Sequence, residues 1–232
     1  MTGSRYLGDN RNVNKPFNES WPAMNYFIFD VDGTLIDSEQ MYMLPLQKVL
    51  KKHGYDVSDA AVERVFGITA ADALKILKVR DPEQIQKEWF AEISNFKQYA
   101  HVYPGIKAAL GVLHADPANQ MAIATSKVEA EFHRDVTRFN LDDFFDAFVF
   151  SNEIKRGKPA PDLVLKGIEK LSASLEATIY IGDTIYDMQA AHAANVAFGL
   201  AGWRTKKTAA FKDADYNFET PAEMLKIDPL SD

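Results

Sequence analysis

Asp30 and Asp32 stand one residue apart at the end of the apolar run Tyr26-Phe27-Ile28-Phe29, and Gly33 follows at once. An apolar run of this length, rich in aromatic and β-branched residues, reads as a buried strand. Its carboxyl end would carry two anions at the place where an open α/β sheet binds its ligand. Burying charge there is costly unless a cation or hydrogen bonds compensate. Asp and Gly are also ordinary turn residues, so these residues alone say little.

Their weight comes from three further segments, which follow in the order one active site would need. Met-Ala-Ile-Ala-Thr-Ser-Lys at 121–127 is a second apolar run, and it ends in Thr125 and Ser126 just before a helical pattern. Hydroxyls and free backbone N–H groups at a helix start can hold an anion, although a plain helix cap has the same composition. Arg-Gly-Lys-Pro-Ala-Pro-Asp at 156–162 fixes the backbone around Lys158 with two prolines. Thr-Ile-Tyr-Ile-Gly-Asp-Thr-Ile-Tyr-Asp at 178–187 is a third apolar run ending in carboxylates. Asp183 and Asp187 lie at i and i+4, so they can face one way on a helical turn.

With these motifs the chain resembles the phosphatase branch of the haloacid dehalogenase superfamily. The matching stretches are Asp-Val-Asp-Gly-Thr-Leu at 30–35, Tyr-Pro-Gly at 103–105, Thr-Ser-Lys at 125–127, Gly-Lys-Pro at 157–159 and Gly-Asp-Thr-Ile-Tyr-Asp at 182–187. The resemblance implies that Asp30 is the nucleophile, forming an aspartyl-phosphate. It makes Asp32 the general acid for the leaving alcohol and then the base for water. Thr125 and the amide of Ser126 hold phosphate oxygens, while Lys158 binds phosphate and neutralises the nucleophile. Mg2+ is implied as cofactor, ligated by Asp30, the carbonyl of Asp32 and Asp183, with Asp187 in support. Each role suits the residue type. Magnesium takes hard oxygen ligands, and phosphoryl transfer is mainly positioning and charge neutralisation.

Composition narrows the classes. The 232 residues are 47% hydrophobic, enough for a real core, and the net charge of −7 argues against nucleic acid as a partner. An anionic substrate must then be drawn by local positive features. Cysteine is absent, which excludes disulfides and thiolate catalysis, and the five histidines show no paired ligand spacing. No apolar run is long enough for a membrane span, nor does the start read as a secretory signal. A cytoplasmic protein with no membrane partner is the expectation. Sequence leaves monomer or dimer open.

About ninety residues separate the first motif from the second, far more than one crossover needs. Within the gap Met43, Leu46, Val49 and Leu50 recur at helix spacing. So do Ala73, Leu74, Ile76 and Leu77, and then Ile85, Trp89, Phe90 and Ile93, with Asp81-Pro82 as a helix start. The expected organisation is a polar N-terminal arm at 1–23, in which Phe17 and Trp21 could anchor it to the core, an α/β core at 24–39 and 103–232, and a helical cap at 40–102. After Gly105 the pattern alternates: helix 105–115, strand 120–125, helix 127–139, strand 147–151, helix 161–171, strand 178–182, helix 186–194, strand 196–200. The fold class is therefore α/β, a doubly wound parallel-sheet, Rossmann-like core with an inserted α-helical cap.

Substrate choice is expected to reside in the cap, with Tyr42, Arg64, Thr69 and Lys78 as candidates to touch the substrate. Trp203 and Arg204, after Gly202, could reach the site mouth. The cap stretch 66–74 resembles that of sugar-phosphate relatives, the phosphoglycolate phosphatase and β-phosphoglucomutase branch. Those relatives often carry a basic residue where this chain has Ala70 or Ala71, and the mutases a histidine near the position of Tyr42. The expected partner is a small phosphorylated metabolite, with phosphoglycolate the first named candidate. Two alternatives stand beside a phosphatase: a sugar phosphomutase, and a non-catalytic phosphate-ligand binding protein of the same fold.

Overall fold

The computed structural model describes residues 24–205 and 208–227. The expected arm at 1–23, with Phe17 and Trp21, lies outside the described residues. The central sheet has six parallel strands, β1 (Tyr26–Phe29), β4 (Gln120–Ala124), β5 (Ala147–Val149), β6 (Thr178–Gly182), β7 (Ala197–Ala201) and β8 (Tyr216–Phe218), in the order β5-β4-β1-β6-β7-β8. β1 is central, and the chain winds first toward β4 and β5 and then, on the other side, through β6, β7 and β8. The reversal falls at β1, and a cleft at the carboxyl ends of β1, β4 and β6 follows from it.

Strand side chains alternate between two cores. Phe27, Phe29, Met121, Ile123, Ile179 and Ile181 pack on the face covered by α5 (Ile106–Ala115) and α6 (Glu129–Asp135). Ile28, Ala122, Ala124 and Tyr180 pack on the opposite face against α7 (Asp162–Leu171) and α8 (Ile185–Ala193). Strands buried on both faces explain why these segments read as continuous apolar runs.

The segment between the first two core strands is helical. β2 (Ile36–Asp37) leads into α1 (Glu39–Lys52), α2 (Asp59–Glu63), α3 (Ala70–Ile76) and α4 (Pro82–Ile93), and β3 (His101–Val102) leads out. β2 and β3 pair antiparallel, Ile36 with Val102 and Asp37 with His101, so entry and exit form one two-stranded ribbon. α1 buries Met41, Tyr42, Met43, Leu46, Val49 and Leu50, and α4 lays Ile85, Trp89 and Ile93 against it. Asp81 caps α4 by accepting from the Gln84 amide, with Pro82 in the first turn where its missing N–H costs nothing.

The expected elements shift in three places. The helix expected over 127–139 is α6 over Glu129–Asp135 only, followed by a 3-10 turn at Thr137–Phe139 that ends on left-handed Asn140. Ile76, periodic with the buried Ala73 and Leu74, is 49% exposed. β8, the edge strand, has no counterpart among the expected strands.

Candidate active site

Asp30 sits immediately past β1, its amide donating to the Ile181 carbonyl of β6 at 2.9 Å. Its side chain is buried, and the Lys158 Nζ lies 2.8 Å from its Oδ1. The same ammonium is 2.7 Å from Asp187 Oδ1, so one buried lysine bridges two carboxylates from different strand ends. Burial pushes the Asp30 carboxyl up to about 7, despite the opposing pull of Lys158. Burial works against the Lys158 charge as well, but Asp187 and Asp30 outweigh it and hold that ammonium well above the usual lysine range.

Asp183 follows β6 and is also buried. Thr34 Oγ1 donates to its Oδ1 at 3.3 Å, and Arg204 Nη1 lies 3.0 Å from its Oδ2. Burial raises this carboxyl well above the ordinary range, with Arg204 opposing. Asp187 is fixed by the start of α8. Its Oδ2 accepts from the Thr184 amide at 2.9 Å and from Thr184 Oγ1 at 2.6 Å, while Thr184 Oγ1 caps the Asp187 amide. Such a reciprocal cap sets the carboxylate's direction before any ligand arrives. Gly33 makes the crowding possible. It has φ +80°, and a Cβ there would come 2.3 Å from Asp183 Oδ2.

Asp30, Asp183 and Asp187 present carboxylate oxygens all within 4.8 Å of one another. Asp30 Oδ2 is buried without a hydrogen bond, and Asp183 Oδ2 has no partner beyond its ion pair with Arg204. An orphaned carboxylate oxygen in a nest of three buried carboxylates fits a hard divalent cation, which takes oxygen ligands of this kind.

Asp32 faces elsewhere. Ser38 Oγ donates to its Oδ1 at 2.5 Å, and Lys127 Nζ lies 2.8 Å from its Oδ2. Lys127 is itself buried and donates to Tyr42 Oη at 2.6 Å, while Tyr42 Oη donates to Asp135 Oδ2 at 2.7 Å. A chain of buried polar groups thus runs from α1 through Lys127 to Asp32. Thr125 is fully buried at the end of β4, its Oγ1 accepting from the Lys127 amide at 3.3 Å. Ser126 Oγ donates to the Gly67 carbonyl at 3.0 Å, so this residue touches the helical insertion as well as the core.

Two cavities lie beside these groups. An outer cleft of about 1010 Å³ opens between α3 and the loop at 151–158, with Ser126, Lys158, Thr69, Lys78 and Tyr186 among the residues that line it. An inner cavity of about 50 Å³ lies against Asp32, Tyr42 and Lys127.

Of the residues singled out in the sequence, Asp30, Lys158, Asp183 and Asp187 converge. Asp32, Thr125 and Ser126 lie at neighbouring strand ends, and Tyr42 closes on Asp32 through Lys127. Thr69 caps α3 and lines the outer cleft. Arg64 is the exception: its side chain is exposed, donates to the Ala60 carbonyl of its own helix at 3.3 Å, and lines neither cavity. Arg204 reaches deeper than a mouth position, bridging Asp183 to Glu39 Oε2 at 2.6 Å, and Trp203 Nε1 donates to the Thr34 carbonyl at 3.0 Å. Sequence reading gave no role to Thr34, Ser38, Lys127, Glu131 or Thr184. Thr34, Lys127 and Thr184 had a local signal, their places inside the stretches at 30–35, 125–127 and 182–187.

Known proteins resemble this chain over most of its length. The profile of the family described as haloacid dehalogenase-like hydrolase matches residues 27–201. The chain belongs to this family. It is similar to the phosphoglycolate phosphatase of Aquifex aeolicus, 29% identical over 88% of this chain and 96% of that one. It is also similar to the phosphorylated carbohydrates phosphatase of Thermotoga maritima, 28% identical over 88% and 98%. Among solved structures, a candidate phosphoglycolate phosphatase from Lactobacillus plantarum superposes with a TM-score of 0.80 at 25% identity, covering 88% of this chain and 99% of that one. The protein is thus a hydrolase, and its named relatives are phosphatases.

Proposed function

We propose that this protein is a magnesium-dependent phosphatase that hydrolyses a small phosphorylated metabolite through an aspartyl-phosphate on Asp30. One observation carries the reading. Asp30 is buried at a strand end, bridged by Lys158 to Asp187, with Asp183 alongside and Asp32 two residues on, held by separate partners.

In this reading Asp30 Oδ attacks phosphorus, and the bond from phosphorus to the substrate oxygen breaks as Asp32 gives that oxygen a proton. Asp32, now a carboxylate, takes a proton from water, whose oxygen attacks phosphorus and releases Asp30. Dividing one displacement into two lowers each barrier. Lys158 neutralises Asp30 and then the phosphoryl oxygens, and the Ser126 amide and Thr125 position them. Magnesium would be held by Asp30 and Asp183 with Asp187 in support, and when bound it supplies charge for the phosphoryl oxygens. Phosphoglycolate is among the candidate substrates because a named relative acts on it. A sugar phosphomutase is less favoured, since Ala70 and Ala71 stand where the sugar-phosphate relatives often carry a basic residue, and Tyr42 near where the mutases carry a histidine.

The test is acid quenching during turnover of p-nitrophenyl phosphate with magnesium, followed by mass spectrometry of the Asp30 peptide. A phosphate adduct on Asp30, absent in Asp30→Asn, is expected. Turnover persisting in Asp30→Asn would sink the covalent mechanism.

A further inference from the structure

The two cavities differ in charge, and the difference bears on the substrate. The outer cleft carries an excess of positive side chains over its two carboxylates, Asp72 and Glu131. Lys75, Lys78 and Lys155 line it and make no ion pair among the described residues, and Arg156 adds a fourth positive side chain, paired with Asp162. On a chain of net charge −7 such a patch draws a phosphate inward. Asp32, however, lines only the inner cavity. In the reaction above, Asp32 must reach the oxygen that leaves, so the leaving group sits in the inner cavity and not in the outer cleft.

The inner cavity holds two carboxylates and one ammonium. Met43, Phe66, Trp89 and Phe90 form its apolar walls, and its charged groups are Asp32, Lys127 and Glu131. The Lys127 ammonium is already engaged by Asp32 Oδ2 at 2.8 Å and Tyr42 Oη at 2.6 Å. Glu131 stands three residues past Val128 at the start of α6, where its Oε2 accepts from the Val128 amide at 3.0 Å. Its Oε1 has no partner among the described residues. Glu131 is half-buried and lines the outer cleft as well as the inner cavity, and burial raises its carboxyl above the ordinary value, with Lys127 opposing. The cavity therefore offers an incoming group an accepting carboxylate oxygen, apolar walls and no uncommitted cation.

We infer that Glu131 selects the leaving group: the inner cavity takes a small neutral, hydroxyl-bearing alcohol and disfavours one that carries a carboxylate or phosphate. This rests on the phosphatase reading and deepens it. A polyol hydroxyl can donate to Glu131 Oε1. An anion placed there would meet Glu131 at close range in a medium of low dielectric, with Lys127 held by Asp32. A volume of about 50 Å³ admits only a few non-hydrogen atoms, so the alcohol is short or reaches the cavity by one end.

The experiment compares kcat/KM, with magnesium, for glycerol 2-phosphate, phosphoglycolate, pyrophosphate and p-nitrophenyl phosphate in the wild type and in Glu131→Gln. Glutamine preserves an acceptor for the Val128 amide and removes the charge. In the wild type, glycerol 2-phosphate is expected to exceed phosphoglycolate and pyrophosphate. Glu131→Gln is expected to raise phosphoglycolate relative to p-nitrophenyl phosphate about tenfold or more, without a like gain for glycerol 2-phosphate. A wild type that prefers phosphoglycolate or pyrophosphate overturns the inference while leaving the phosphatase reading intact, and so does an unchanged ratio in Glu131→Gln. Absence of turnover on every substrate, p-nitrophenyl phosphate included, overturns the phosphatase reading and this inference with it.

Discussion

The floor of the site and its roof are built on different principles. The floor is the carboxyl end of the sheet, where Asp30, Lys158, Asp183 and Asp187 are buried and hold one another through charge. The roof is the stretch from Val65 to Asp72, which meets the core through backbone and small groups and through the Phe66 ring against the Arg204 guanidinium. Gly67 gives its carbonyl to Ser126 Oγ and lies against Thr184, and Thr69 Cγ2 sits where a Cβ on Gly157 would be 3.1 Å away. Charges locked into a rigid sheet suit a reaction common to many substrates. Contacts made by loop backbone suit a surface that can lift away and return.

The largest effects should come from the floor. Asp30→Asn is expected to lower kcat/KM by about 10⁴-fold or more on every substrate, because it removes the nucleophile. Lys158→Met should cost about 10²–10³-fold, again uniformly, because it acts on the shared phosphoryl group. A kinetic matrix of both variants against several phosphate esters checks this. A Lys158→Met loss confined to one substrate would move Lys158 from the floor's task to the roof's.

Metal removal should be nearly as severe. Chelation is expected to abolish turnover and magnesium to restore it, whereas calcium, with looser coordination and longer bonds, should restore little. Full phosphatase activity in chelator would contradict the assignment of Asp30, Asp183 and Asp187.

The same buried charge has a cost in stability. Asp30 is raised from its ordinary value near 3.8 to about 7, so between those values the folded chain binds more protons than the unfolded one. Stability therefore falls as pH rises from about 4 to about 7. Asn carries no charge to bury. In metal-free protein, the melting temperature of Asp30→Asn relative to wild type should rise across that window and level off above it. Magnesium should narrow the gap by stabilising the wild type. Differential scanning fluorimetry from pH 4 to 8, with and without magnesium, reads this directly. A gap that shrinks with rising pH would show that Lys158 more than offsets the burial of Asp30.

Much of the floor was legible in the sequence, for a physical reason. A strand buried on both faces must be an apolar run, and a site at its carboxyl end must begin where that run breaks into polar residues, as at Asp30, Thr125 and Asp183. The helical spacing of Leu46, Val49 and Leu50, and of Ile85, Trp89 and Ile93, was legible because one face of each helix is buried. What escaped depends on pairing between distant segments. Arg204 meets Asp183 and, across 165 positions, Glu39, and no local pattern announces either contact. Lys127 stands inside the stretch at 125–127, but its contacts with Tyr42 and Asp32 appear only in the fold. β8 is only three residues long with Asn217 at its middle, too short and too polar to show alternation. The helix over 127–139 read too long because the apolar spacing of Phe132, Val136 and Phe139 continues into the 3-10 turn, where Val136 and Phe139 still pack inward.

The smallest effects should come from the roof, and they separate two residues that the sequence treats alike. Arg64 is exposed and bonds its own helix, so Arg64→Ala should leave the ranking of substrates within about twofold, as surface changes generally do. Thr69 is different. Its Oγ1 accepts from the Asp72 amide and donates to Asp72 Oδ2 at 2.7 Å, which caps α3 and fixes the loop that faces Gly157. Losing such a cap costs about 1 kcal/mol of local stability. Thr69→Ala should therefore loosen the roof and raise KM several-fold for natural substrates, which need the closed cavity. Turnover of p-nitrophenyl phosphate, whose leaving group needs little help, should change less. A Thr69→Ala loss as deep and uniform as that of Lys158→Met would mean that roof and floor are one unit, with closure itself assembling the groups around Asp30.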